Sequence, residues 1–312
     1  MNRTIAVLFP GQGSQSAGMG KALAERFPIA ARVFAEADAA LGFSLSRLCF
    51  EGPDEELKLT INAQPTIVAT SIAAWRALQQ ETGLQPDYVA GHSLGEYSAL
   101  VAAGALTLTD AVRLVRERGR LMQEAVPVGV GAMAALFNLS VEAVVQLCAD
   151  VAQGEVVAPA NLNGGGQVVI AGHVNAVRRA IAAAKNRGAK RAVELAVSAP
   201  FHCALMRPAA DGLEAALSAV TVYPMLTGVV ANVTADLNPD SSRVKDLLVQ
   251  QVTAPVRWEE SMQKLQRLGC TGAIEVGPGR VLSGLLKRIV ADMPCVSVSD
   301  PATLTEVQEV LG

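Results

Sequence analysis

Along the chain, short unbroken apolar runs alternate with longer stretches that carry a helical stripe. The run Ile5-Ala6-Val7-Leu8-Phe9, stopped by Pro10-Gly11, predicts a strand buried on both faces. Gly11-Gln12-Gly13-Ser14-Gln15 is too rich in glycine for regular structure and predicts a loop. Helical periodicity follows over 19–41, a polar segment opens at Gly52-Pro53-Asp54, and the mostly apolar stretch 65–80 predicts a buried helix. After a turn at Gly83-Leu84-Gln85-Pro86, a second apolar run, Tyr88-Val89-Ala90, ends in Gly91-His92-Ser93-Leu94-Gly95, with an alanine-rich helical pattern over 97–106 behind it. The next helix, over 109–124, is expected to be capped by Thr109-Asp110.

Between 127 and 197 the pattern changes. Strands are predicted over 131–136, 156–160, 167–171 and 192–197, helices over 140–150 and 175–187, and a hairpin-like turn over 161–166. That order, β-α-β-β-α-β, is the ferredoxin-like unit. Helices over 208–220, 244–251, 259–268 and 281–291 then alternate with strands over 226–232, 273–276 and 295–298. The expected fold is α/β. An α/β-hydrolase-like main domain with a largely parallel sheet spans 1–126 and 198–312, and an inserted ferredoxin-like subdomain spans 127–197.

Gly-x-Ser-x-Gly matches often by chance, but a strand before it and a helix behind it are the context a nucleophile elbow requires. The glycines let strand and helix approach, and the serine sits on a tight turn with Oγ exposed. The first free N–H groups of the helix then lie near the serine, where they can hold an oxyanion. A serine hydroxyl needs a base, and the chain has three histidines. His92 adjoins the serine on a diverging turn. His173 falls where a subdomain strand meets a helix and reads as a loop or capping residue. His202, in Ala199-Pro200-Phe201-His202-Cys203, lies where the chain re-enters the main domain, so elimination leaves His202 as the base. Cys203, beside it, is expected to face elsewhere. Between Ser93 and His202 the aspartates are Asp110, a helix cap, and Asp150, a helix end. A Ser-His dyad, its imidazole oriented by a backbone carbonyl or an amide side chain, is therefore expected instead of a triad.

The helix over 109–124 has an apolar stripe of Ala111, Leu114, Val115, Leu121 and Met122, and Arg118 shares it. An inward arginine keeps its proton and needs an anion: a buried Asp or Glu, or the carboxylate or phosphate of a ligand.

Composition narrows the class of protein. In 312 residues, 51% apolar and 18% charged side chains suit a large core, and a formal charge of −3 argues against a general nucleic-acid or anionic-membrane surface. The longest apolar stretch, 99–106, is interrupted by Gly104 and falls far short of a membrane span, and 5–9 is too short for a secretion signal. Five cysteines without a Cys-x-x-Cys spacing indicate reduced thiols and no zinc site. A soluble, cytoplasmic monomer without a metal is expected.

Five motifs in order resemble a known family: Gly11-Gln12-Gly13-Ser14-Gln15, Gly91-His92-Ser93-Leu94-Gly95-Glu96, Arg118 within Glu117-Arg118-Gly119-Arg120-Leu121-Met122-Gln123, Ala199-Pro200-Phe201-His202 and Glu275-Val276-Gly277-Pro278-Gly279. Together they look like the malonyl-CoA:acyl carrier protein transacylases of bacterial type II fatty acid synthesis, over essentially the whole chain. The resemblance implies ping-pong transfer of malonyl from malonyl-CoA to the phosphopantetheine thiol of acyl carrier protein, with no cofactor of the enzyme's own. It implies Ser93 as the malonylated nucleophile, His202 as base and then acid, and the N–H groups of Gln12 and Leu94 as the oxyanion hole. It further implies Arg118 as partner of the malonate carboxylate, Gln251 as support for the histidine, and Asn161, Asn163 and Gln167 near the thioester donor. Carrier proteins of this family are acidic, and Lys190 and Arg191, clustered with Arg178, Arg179, Lys185 and Arg187, form the candidate docking surface. The alternatives are an acyltransferase subunit of a malonate decarboxylase or polyketide system, a serine thioesterase or esterase, and a non-catalytic scaffold.

Overall fold

A computed structural model describes residues 4–197 and 199–311, so the expected re-entry residue Ser198 lies outside the described residues. Among the described residues ten strands form two sheets: β1 (Ile5–Phe9), β2 (Tyr88–Gly91), β3 (Gly131–Phe137), β4 (Val157–Gly164), β5 (Gln167–His173), β6 (Arg191–Glu194), β7 (Gly228–Ala231), β8 (Asp236–Leu237), β9 (Gly272–Val276) and β10 (Cys295–Val298). The larger sheet has the order β10-β9-β1-β2-β7-β8; its pairings are parallel except at the β8 edge. Strand β1 lies inside it with all five residues buried, which is why its sequence is apolar without alternation. Ile5, Val7 and Phe9 enter one core with the helices Pro28–Leu41, Thr60–Thr82 and Leu108–Ala125. Ala6 and Leu8 enter the other, with Trp258–Arg267 and Val281–Ile289.

The smaller sheet, β4-β5-β3-β6, is antiparallel throughout and carries the helices Val141–Val151 and Val174–Ala184 over its own core. Its connection to the main body is specific. Leu162 donates its N–H to the Val256 carbonyl and Val256 donates to the Ala160 carbonyl, each at 2.9 Å, which lays β4 beside the segment leading into Trp258.

Several elements differ from expectation for local reasons. The periodicity of 19–41 is two helices, Lys21–Arg26 and Pro28–Leu41, because Pro28 cannot extend the first and starts the second. Leu45–Glu51 and Asp54–Lys58 are short helices flanking the polar segment. The helix that carries Arg118 is capped by Thr107, whose Oγ1 accepts from the Asp110 N–H, and not by Thr109-Asp110. Strand β4 runs on through Asn161 and Asn163, so these residues are strand and not turn; register shifts at Pro159/Asn161 and Leu162/Gly164 hide its period from the sequence. Neither the two-residue β8 nor the helix Pro301–Leu311 was among the expected elements.

Candidate active site

Strand β2 stops at Gly91 and the helix Gly95–Ala102 begins four residues later. The crossing is tight enough to demand glycine twice. A Cβ on Gly91 would lie 1.9 Å from the Gly95 carbonyl oxygen, and one on Gly95 would lie 2.3 Å from that of Phe9. Ser93, at the apex, has φ 53°, a left-handed conformation that non-glycine residues rarely adopt. In consequence Oγ points away from the sheet, toward His202.

Ser93 Oγ lies 2.7 Å from His202 Nε2, and His202 Nδ1 lies 2.8 Å from the Gln251 backbone carbonyl. A carbonyl oxygen only accepts, so Nδ1 carries the proton and Nε2 is left free to accept from the serine. The imidazole is 3% exposed, and burial, then the Arg118 cation, push its pKa down to about 3. The histidine is therefore neutral, the form in which it can take a proton.

Arg118 is 2% exposed. Its Nη1 donates to Gln64 Oε1 (2.8 Å), and its Nη2 donates to Gln251 Oε1 (2.9 Å) and to Ser93 Oγ (3.2 Å). These partners are neutral, and among the described residues Arg118 has no ion pair. Of the two anions the sequence left open, no buried Asp or Glu bonds to it. Glu96, whose charge acts on Arg118, is buried and takes its hydrogen bonds from Gln251 Nε2 (2.7 Å) and the Asn232 N–H (3.2 Å); burial raises its pKa to about 7. Burial lowers the Arg118 pKa, and the neighbouring Tyr97 and Glu96 offset that shift only in part.

A cavity of about 200 Å³ opens onto Ser93 and His202, walled by Gln12, His92, Met133, Asn161, Leu195 and Phe201, among others. The N–H groups of Gln12 and Leu94 donate to no acceptor among the described residues, as oxyanion donors must. Asn161 lines this cavity, and its buried Oδ1 has no hydrogen-bond partner among the described residues. Asn163 instead sits behind it, 2.9 Å from His92 Nε2. Gln167 is elsewhere: it accepts from Arg288 Nη2 at 3.3 Å and lines a separate cavity with Ser140 and Glu259, so it is not brought to Ser93. His173 Nδ1 accepts from the Val156 N–H, and His173 is neither a hydrogen-bond partner of Ser93 nor part of the cavity wall. Cys203 donates to the Pro200 carbonyl, and burial pushes its pKa up to about 11, so it is no rival nucleophile.

Three participants escape sequence reasoning: Gln64, Glu96 and Asn232. Gln64 is a buried polar residue in the otherwise apolar helix Thr60–Thr82, which is a usable signal. Asn232 follows β7 at the carboxyl edge of a parallel sheet, the edge where α/β proteins place functional groups.

The chain matches the acyl transferase domain family over residues 7–304. It is 51% identical over 301 residues to the malonyl CoA-acyl carrier protein transacylase of Bacillus subtilis (strain 168), covering 96% of this chain and 95% of the relative. A crystal structure of an acyl carrier protein S-malonyltransferase from Vibrio cholerae is 49% identical with a TM-score of 0.95, covering 97% of this chain and 99% of that one. A malonyl-transacylase in complex with its type II PKS acyl-carrier protein is 47% identical with a TM-score of 0.96, covering 98% and 99%. With likeness of this order along nearly its whole length, the chain belongs to the acyl transferase family and, within it, to the malonyl CoA-acyl carrier protein transacylases.

Proposed function

We propose that the protein moves a malonyl group from malonyl-CoA to the phosphopantetheine thiol of an acyl carrier protein, through an ester on Ser93. One observation carries this most directly: Arg118, buried and without an ion pair among the described residues, donates to the same hydroxyl that is hydrogen-bonded to His202. In a malonyl thioester the free carboxylate stands one methylene away from the carbonyl under attack. A cation beside the nucleophile therefore fits a short diacid, and an acetyl group would leave that cation unpaired.

The two half-reactions share one set of groups. His202 Nε2 takes the Ser93 proton as Oγ bonds to the thioester carbonyl carbon. The Gln12 and Leu94 N–H groups receive the oxyanion, where one well-placed donor contributes about 3–4 kcal/mol. Collapse breaks the carbon–sulfur bond, and His202 hands its proton to the departing CoA sulfur. The carrier thiol then gives its proton to His202, attacks the ester carbonyl, and expels Ser93 Oγ, which takes the proton back. Ser93, His202 and the two thiols account for every bond and proton, so no cofactor of the enzyme's own is required. Asn161, which lines the cleft and has a buried Oδ1 without a partner among the described residues, is the donor-binding residue this reading favours.

Carrier docking on Lys190 and Arg191 is supported by the cations left unpaired in the basic cluster. Arg178 pairs with Glu194, Arg179 with Glu155 and Arg187 with Asp150. Lys185, Lys190 and Arg191 are exposed and make no ion pair among the described residues, and Lys190 and Arg191 are the adjacent pair among them. Initial velocities with malonyl-CoA and a holo carrier protein, of fatty acid or polyketide type, test the scheme. Because both substrates use Ser93 in turn, the double-reciprocal lines should be parallel; intersecting lines would require both substrates to be bound together. In the same assay Lys190→Ala/Arg191→Ala should raise the carrier KM several-fold, and an unchanged KM removes that surface from consideration.

A further inference from the structure

We infer that Asn232 is a positioning residue for the nucleophile, holding the Ser93 backbone within a closed ring of hydrogen bonds. This rests on Ser93 being the nucleophile. Ser93 keeps a left-handed φ of 53° without being glycine, so something outside the turn must hold it there. Side chains from distant elements take both of its backbone polar groups. The Ser93 N–H donates to Asn232 Oδ1 at 2.8 Å, and the Ser93 carbonyl accepts from Gln251 Nε2 at 3.0 Å beside the local Glu96 N–H at 3.1 Å. Asn232 Nδ2 donates in turn to the Gly91 carbonyl at 2.7 Å, so one amide spans both sides of the turn. The Asn232 N–H and Gln251 Nε2 meet at Glu96 Oε2, which closes the ring. Asn232 is 1% exposed and follows β7, which pairs with the elbow strand β2.

The ring has a chemical consequence. Capturing the Ser93 N–H on the far side leaves the next N–H, that of Leu94, free of any acceptor among the described residues. If the turn relaxed toward an ordinary φ, Oγ would leave His202 and the Leu94 N–H would leave the oxyanion position in the same movement. An amide suits this position because one planar group supplies the acceptor for Ser93 and the donor for Gly91. Leucine of similar volume supplies neither, and aspartate supplies only the acceptor.

The test compares Asn232→Leu and Asn232→Asp with wild type, using malonyl-CoA and holo carrier protein. A displacement of about 1 Å at a reacting group costs roughly 10²-fold, so Asn232→Leu should lose about that much kcat. Its KM for malonyl-CoA should stay within about twofold and its preference for malonyl over acetyl should persist, a split that a general loss of structure does not produce. Asn232→Asp, which keeps one of the two side-chain hydrogen bonds, should lose about tenfold in kcat. A folded Asn232→Leu enzyme with kcat within about threefold of wild type overturns the proposal. If that variant does not fold, Asn232→Asp decides, and wild-type kcat there overturns it equally. The wild-type control separates the two claims. A wild type that is not malonylated on Ser93 sinks the proposed function, whereas a malonylated wild type beside a fully active Asn232→Leu overturns only the role of Asn232.

Discussion

Arg118→Ala should lower kcat/KM for malonyl-CoA by roughly 10⁴-fold while changing that for acetyl-CoA by less than about tenfold. The asymmetry follows from where the charge is. Arg118 is held by Gln64 and Gln251 with Nη2 on Ser93 Oγ, so its charge lies beside the hydroxyl that, on the proposed function, carries the acyl group. With alanine there, malonate would bring an anion into a buried pocket with no partner, a cost acetate does not meet. Arg118→Lys should recover part of the malonyl activity, because it restores charge without the planar fork. An unchanged ratio of malonyl to acetyl turnover in Arg118→Ala would assign the arginine a purely structural role.

His202→Ala should slow formation of the acyl-enzyme by about 10²–10⁴-fold with little change in the KM for malonyl-CoA, as expected when proton transfer and not binding is lost. The pH dependence checks the same residue independently. Burial and the Arg118 cation push the His202 pKa down to about 3, and a base is lost as pH falls through its pKa. Wild-type kcat/KM should therefore hold through pH 6.5, where an ordinary histidine would already be half protonated. In Arg118→Ala the nearby cation is gone, the His202 pKa rises, and the acid limb should move to higher pH. An acid limb at 6.5 in both enzymes would contradict the proposed electrostatics.

The elbow could be read from the sequence because its constraints are local. Strand, two glycines and helix are contiguous, and each glycine is needed within the turn itself. The inward face of Arg118 could be read for a similar reason, since helical period alone sets it. What surrounds these residues depends on sheet order, which local pattern does not carry. Asn232 lies 139 residues from Ser93, and only the pairing of β7 with β2 brings them together. Gln251 hides a double part: its backbone carbonyl orients His202, while its side chain joins Arg118, Ser93 and Glu96. The family resemblance places Gln167 near the donor with Asn161 and Asn163, but after the glycine turn it lines a different cavity and bonds to Arg288. The Glu275-Val276-Gly277-Pro278-Gly279 motif has a role in the fold: the Glu275 carboxylate accepts from the Leu282 and Ser283 N–H groups and so starts the helix Val281–Ile289.

The central claim is that Ser93 carries the malonyl group between two thiols. Intact-mass measurement after mixing the protein with malonyl-CoA tests it most directly. The expected result is one malonyl adduct on the wild type, absent from Ser93→Ala and cleared on addition of a holo carrier protein. An adduct that persists in Ser93→Ala, or one that water removes faster than the carrier thiol does, would contradict it.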